Sequence, residues 1–152
     1  MFFKDEISAR FFLLVSGIHI KTRRILENRL KEVELTFPQF GVLLALAHKD
    51  RINQKELSEI LETDTTNIMV ICDSLEKKGI VQRISNPVDR RSNLIVLTEK
   101  GRKMNRKTQP MIEKYNDHIM KYTSPEEISS TFPLLQKIYG EIKKIEQSLK
   151  NK

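Results

Sequence analysis

Few residues of this 152-residue chain have the types and spacing that catalysis requires. The single cysteine, Cys72, cannot form an intramolecular disulfide, and one thiolate does not make a structural zinc site. The three histidines, His19, His48 and His118, form no His-x-x-x-His pair. The five glycines are scattered and form no phosphate-binding loop. The sequence therefore indicates neither an enzyme nor a bound metal or cofactor.

Charge instead indicates a polyanionic partner. The formal net charge is +7 with a pI near 9.5, and residues 77–107 carry ten lysines and arginines against only Asp89 and Glu99. Clustered cations displace the counterions condensed on a phosphate backbone, so nucleic acid is the expected partner.

A membrane is not an expected partner, because the longest apolar runs, 11–15 and 42–47, are far below the ~20 residues that a membrane span needs. Acidic residues near the start also argue against a signal peptide, so we expect a cytoplasmic protein.

Side chains suited to reading DNA bases open a predicted helix in the middle of the chain. Helical spacing turns Ile68, Ile71, Cys72 and Leu75 inward, and we expect Cys72 to be a core residue. The start of the helix then presents five outward residues: Thr65, Thr66, Asn67, Met69 and Val70. Asparagine can bond adenine, threonine a base or phosphate, and methionine or valine the thymine methyl. The alternative is that the polar residues only cap and solubilise the helix.

A β-hairpin with a charged tip is predicted after this helix. Residues 80–84 and 94–97 are rich in β-branched types, and turn-forming residues 85–92 separate them. Arg90 and Arg91 at the tip could enter a minor groove, where A·T-rich DNA concentrates negative potential, and Asp89 could orient one of them. Alternatively, the tip is a solvated turn with an ordinary surface ion pair.

Helical periodicity predicts the elements that position these residues. One long helix covers residues 5 to about 31, and a second begins at Thr36-Phe-Pro38. Asn53 and Glu56 predict a capping box for a short third helix. The helix that opens at Thr65, which we call the recognition helix, runs to Gly79. Helices from 98 to about 122 and from 125 onward complete the chain. The predicted fold is mainly α with a small β-hairpin wing: a winged helix-turn-helix over 36–99, between dimerisation helices in 1–35 and 100–152.

Apolar residues of the last helix predict a homodimer. Positions 128, 132, 135, 138 or 139, 142, 145 and 149 alternate spacings of three and four, the pattern of a helix packed along another helix. The first helix also has more apolar residues than one small winged module can cover. Two-fold pairing would set two recognition helices ~34 Å apart, so the expected target is an inverted repeat in double-stranded DNA.

Two segments resemble the multiple-antibiotic-resistance regulator (MarR) family: Leu75-Glu-Lys-Lys-Gly-Ile80 and Asp89-Arg-Arg-Ser-Asn-Leu-Ile-Val-Leu-Thr-Glu-Lys-Gly101. The resemblance implies a sequence-specific transcriptional regulator, expected to be a repressor. It implies that four residues of the recognition helix face the DNA groove: Thr66, Asn67, Met69 and Val70. It also implies that Arg91 is the DNA-reading residue of the wing, with Asp89 as its partner. It further implies a small aromatic or anionic effector, bound between the dimer helices and the winged module. The family often has arginine where this chain has Val70.

A second function class also fits these patterns. A helical protein-interaction module could use the basic hairpin to contact an acidic protein partner. The two hypotheses differ in the response to DNA, because a phosphate partner makes log affinity fall linearly with log salt concentration.

Overall fold

The computed structural model describes residues 5–89 and 91–150 of the chain. Two compact units share the chain: the first ends at Ile112 and the second starts at Glu113. The division into dimerisation and DNA-binding segments stays a prediction. None of the helices in the described part combines the length and the apolar character of a membrane span.

Six α-helices and three strands make up the described fold. In chain order the elements are α1 (Glu6–Leu30), α2 (Phe37–His48), β1 (Ile52–Asn53), α3 (Gln54–Ile60), α4 (Thr65–Lys77), β2 (Val81–Ser85), β3 (Asn93–Leu97), α5 (Glu99–Met120) and α6 (Pro125–Lys150). A short 3₁₀ turn, Lys31–Val33, joins α1 to the loop before α2. The predicted helices and hairpin are confirmed, each within one or two residues of its expected end.

Side-chain caps explain why the helices begin where they do. Thr36 and Gln39 form a complete capping box at α2, each binding the other's backbone N–H. Asn53 Oδ1 accepts a 2.8 Å bond from the Glu56 N–H at the start of α3. The sequence predicted a complete capping box at this position. The described hydrogen bonds include only the one that Asn53 accepts, and the Glu56 carboxylate is paired with Lys49.

The sheet has three strands in the order β1-β3-β2, all antiparallel. Ile95 of β3 lies between Ile52 of β1 and Arg83 of β2 in this register. The sequence predicted only the hairpin of β2 and β3, because a two-residue strand is too short to give an alternating pattern. The third strand ties the start of the helix-turn-helix to the wing.

The core of the first unit lies beneath α2, α3, α4 and the sheet. Its fully buried side chains include Leu43, Leu57, Ile68, Leu75 and Ile95. Cys72 is buried among them, which confirms its expected place in the core. Burial disfavours the thiolate and raises the pKa of this thiol to about 11.

Large apolar side chains of α1 and of α6 are exposed in the single chain. On α1 the exposed residues include Leu13, Leu14 and Ile18. On α6 they are Ile128, Phe132, Leu134, Leu135, Tyr139, Ile142, Ile145 and Leu149. Contiguous apolar surface of this kind marks an interaction site or a liability to aggregate.

Candidate nucleic-acid interface

The recognition helix α4 is anchored by its apolar side and capped at its start. Asp64 Oδ1 accepts a 2.8 Å bond from the Asn67 N–H, which satisfies a free backbone donor of the first turn. Ile68, Cys72 and Leu75 are fully buried, so packing fixes the rotation of the helix about its axis. The five residues expected to face outward, Thr65, Thr66, Asn67, Met69 and Val70, are all exposed.

The exposed residues of α4 divide between two depressions. Thr65 and Met69 line a cleft of about 630 Å³ between α4 and the wing. Asn67 and Val70 line a crevice of about 580 Å³ on the other side, together with residues of α1 and α2. Thr66 is exposed and lines neither. Met69 is 46% and Val70 61% exposed, so part of the surface that α4 presents is apolar.

Asn67 is less available to a base than the sequence suggested. Its Nδ2 donates to Asp64 Oδ2 at 2.7 Å and to Thr63 Oγ1 at 3.3 Å. Both bonds are local, and they hold the amide over the start of the helix. Base reading by Asn67 would require exchanging these bonds for bonds to adenine.

The wing presents Arg91 to solvent. Its side chain is 97% exposed, and its Nε lies 3.9 Å from Asp89 Oδ1. The same Asp89 oxygen accepts a 3.0 Å bond from the Arg91 backbone N–H, and the Asp89 carbonyl accepts one from Ser92. Asp89 therefore shapes the turn and makes a loose ion pair with Arg91. Arg90, the other predicted wing residue, lies outside the described residues.

Arg83 is a residue of the cleft beside α4 that the sequence did not single out. It lies on β2 and was counted with the basic residues of the hairpin, yet its guanidinium binds Asp73 and Glu76 of α4. Its side chain is only 22% exposed. In the sequence, this ion pairing was indicated by the two carboxylates, which lie three positions apart on one helix face. Their partner could not be chosen from the sequence, because the contact joins different elements.

Several other cations of the basic segment also bind within the protein. Lys100 Nζ donates to the Lys78 carbonyl at 2.6 Å, and Arg102 Nη1 to the Leu97 carbonyl at 2.9 Å. Hydrogen bonds from Arg102 and Arg106 lower the pKa of the exposed Glu99 carboxyl. The positive charge available to a partner is therefore smaller than the residue count of 77–107 suggests.

The crevice beside α4 has a mixed lining. Its residues are His19, Arg23, Phe37, Pro38, Gly41, Leu61, Glu62, Thr63, Asn67, Val70 and Ile71. The Arg23 guanidinium lies 5.6 Å from the Phe37 ring centroid, within cation–π range, and its Nε binds Glu27 Oε1 at 2.8 Å. Within the described ranges, no three His, Cys, Asp or Glu side chains gather as metal ligands.

Comparison with known proteins identifies the family. The family model for the MarR family matches residues 34–92. The chain is 33% identical over 107 residues to YdcH of Bacillus subtilis, described as an uncharacterized HTH-type transcriptional regulator, covering 68% of this chain and 72% of that protein. It is 33% identical over 88 residues to the multiple antibiotic resistance protein MarR of Salmonella typhimurium, covering 58% and 61%.

A solved structure agrees with both comparisons. The fold matches a mutant Escherichia coli MarR complexed with operator DNA at a TM-score of 0.75 and 26% identity, over 89% of this chain and 99% of that one. The winged helix-turn-helix predicted from the sequence is confirmed, and so is the predicted family. The chain belongs to the MarR family of winged helix-turn-helix transcriptional regulators.

Proposed function

We propose that this protein represses transcription by binding an inverted-repeat operator as a homodimer, with α4 in the major groove and the wing in the adjacent minor groove. One observation carries the proposal: the buried face of α4 leaves Thr66, Met69 and Val70 exposed, beside a wing that presents Arg91. The E. coli relative, solved as a complex with operator DNA, supports DNA as the partner. A target on the chromosome would require a cytoplasmic protein.

The major-groove surface favours thymine methyl groups over guanine. Met69 and Val70 offer apolar contact, and Thr65 and Thr66 offer hydroxyls that bond a base or a phosphate. Asn67 contributes only after releasing Asp64. Arginine, the usual reader of guanine, is absent from α4, so we expect half-sites rich in A·T pairs.

The wing would supply sequence-independent affinity and sense groove width. A narrow A·T-rich minor groove attracts an inserted arginine, and Arg91 has the exposure for it. Asp89 would hold the turn that presents Arg91. An arginine that contacts a base edge contributes about 1–3 kcal/mol to binding, and we expect a loss of this order for Arg91.

The apolar faces of α1 and α6 support the homodimer. Side chains such as Leu14 on α1, and Phe132 and Ile142 on α6, expose large apolar surface in one chain. A two-fold partner would cover these faces and pair two recognition helices. Ile142→Asp should shift the protein from dimer to monomer in light scattering and weaken operator binding, whereas the exposed Lys144→Asp on the same helix should preserve the dimer.

Selection from random genomic duplexes tests the proposal. The bound fragments should share an inverted repeat with half-site centres about 34 Å apart. Arg91→Ala should bind the selected site at least tenfold more weakly. Arg29→Ala, which removes an exposed cation of α1, serves as the matched control and should bind like the wild type. Failure to enrich any duplex at low salt would favour the protein-interaction module instead.

The crevice between α1, α2 and α4 is our candidate effector site. Arg23 and His19 can face a carboxylate, Phe37 can stack on an aromatic ring, and Val70 belongs to both the crevice and the recognition surface. A small aromatic acid bound there would contact α4 directly. Benzoate and salicylate should raise the Tm of the free protein and release it from the operator. Arg23→Ala should lose this response, and Arg29→Ala should keep it.

A further inference from the structure

Arg83 joins the wing to the recognition helix through three hydrogen bonds. Its Nη2 donates to Asp73 Oδ1 at 2.5 Å, and its Nη1 donates to Glu76 Oε2. The other Glu76 oxygen, Oε1, accepts a 3.1 Å bond from the Arg83 backbone N–H. Both Glu76 oxygens and both terminal nitrogens of Arg83 are thus engaged between β2 and α4. A planar guanidinium fork is suited to holding two carboxylates in fixed geometry.

The position of this cluster is where a DNA-contacting cation would be expected. Arg83 and Asp73 line the cleft between α4 and the wing, together with Met69 and Arg91. Yet the guanidinium charge is matched by two carboxylates, so the cluster carries about one net negative charge. Burial acts to lower the pKa of Arg83, and the hydrogen bonds to the two carboxylates outweigh that effect and raise it.

We propose that Arg83 is a positioning residue: it sets the angle of the wing against the recognition helix and contacts no phosphate itself. This inference rests on the proposed operator binding. The helix must read one groove while Arg91 enters the next, so the two must be held at a fixed separation. Gly79 sets the turn between α4 and β2, and the bonds of Arg83 hold β2 against α4 after that turn.

Neutralising the carboxylates separates the two roles by the sign of the effect. If Arg83 bound a phosphate, Asp73→Asn with Glu76→Gln would free its charge, and operator binding would strengthen. If Arg83 is a positioning residue, the same variant loses the fixed wing angle and binds the operator about tenfold more weakly, although it is two charges more positive. Its preference for operator over a scrambled duplex of equal composition should fall by a similar factor.

Matched variants complete the experiment. Glu59→Gln neutralises an exposed carboxylate of α3 and should leave the operator preference unchanged. Arg83→Lys keeps one charge but lacks the fork, so it should reproduce the loss of preference with an unchanged dependence of log affinity on log salt. Circular dichroism of each variant would check that it is folded. Arg91→Ala reports on operator binding through the wing independently of Arg83.

The outcomes are distinct. Weaker operator binding and lower preference in both Arg83→Lys and the double carboxylate variant support the positioning role. Equal or stronger operator binding by the double variant overturns it. If the wild type binds no duplex, the proposed function fails and this inference fails with it.

Discussion

Gly101 offers a sharp test of how the wing is joined to α5. A Cβ added at this position would lie 2.1 Å from the Ile80 carbonyl oxygen and 3.2 Å from Leu97 Cδ2. Contacts of a Cβ under 3.0 Å essentially do not occur, so the backbone would have to move by about 1 Å. The Ile80 oxygen is also the acceptor for the Thr98 N–H at 3.0 Å. Gly101→Ala should therefore loosen this junction.

Two opposing terms set the size of the effect. Alanine in place of glycine stabilises a helix interior by up to about 1 kcal/mol, and less in the first turn, where Gly101 lies. Overpacking against main chain costs about 1–3 kcal/mol, so we expect a lower free energy of unfolding for Gly101→Ala. With the gain from alanine subtracted, the net loss is about 1–2 kcal/mol. At about 2–4 °C per kcal/mol, the Tm should fall by roughly 2–8 °C.

Thermal melting at one fixed protein concentration measures this change. Gly140→Ala is the matched control, because a Cβ there meets nothing within 4 Å in the chain. Its Tm should equal or exceed that of the wild type. The steric reasoning is refuted if Gly101→Ala melts at or above the wild-type temperature.

Three further predictions concern the core and the caps. Leu57→Ala, at a fully buried position, should lower the unfolding free energy by about 2–5 kcal/mol, while Val88→Ala at the exposed wing turn should change it by under about 0.5 kcal/mol in denaturant titration. Because burial raises the pKa of Cys72 from 9.0 to about 11, the unfolded state releases this proton first, and stability should fall as pH rises above 9. Cys72→Ala should lose that part of the pH dependence, and the native thiol should resist alkylation at pH 8. Thr36→Ala removes one half of the α2 capping box and should cost about 1 kcal/mol by the same titration.

Helix positions followed from local chemistry and could be predicted from the sequence. Thr36 and Ser124 cap helices through bonds to residues three positions away, and such bonds depend only on nearby sequence. The left-handed Gly79 ended the recognition helix as expected. The strand β1 escaped prediction because its two residues are stabilised by pairing with β3, which lies about 40 positions later.

The partners of the site residues could not be predicted, because they depend on packing between elements. Arg83 was counted as a cation for DNA, and the structure pairs it with Asp73 and Glu76. Asn67 was assigned to the groove from its place on the helical wheel, and its amide turns back to Asp64. A helical wheel gives the direction of a side chain from the axis, and competing acceptors decide which bonds it makes.

A salt series on duplex DNA measures whether this protein binds double-stranded DNA through its wing. The log of the wild-type binding constant should fall linearly with log salt concentration. For Arg91→Ala the slope should be smaller by about 0.9 per lost phosphate contact, and so by about twice that for a homodimer, while Arg29→Ala keeps the wild-type slope. Binding that is absent at low salt, or a slope unchanged by Arg91→Ala, would contradict wing-dependent DNA binding.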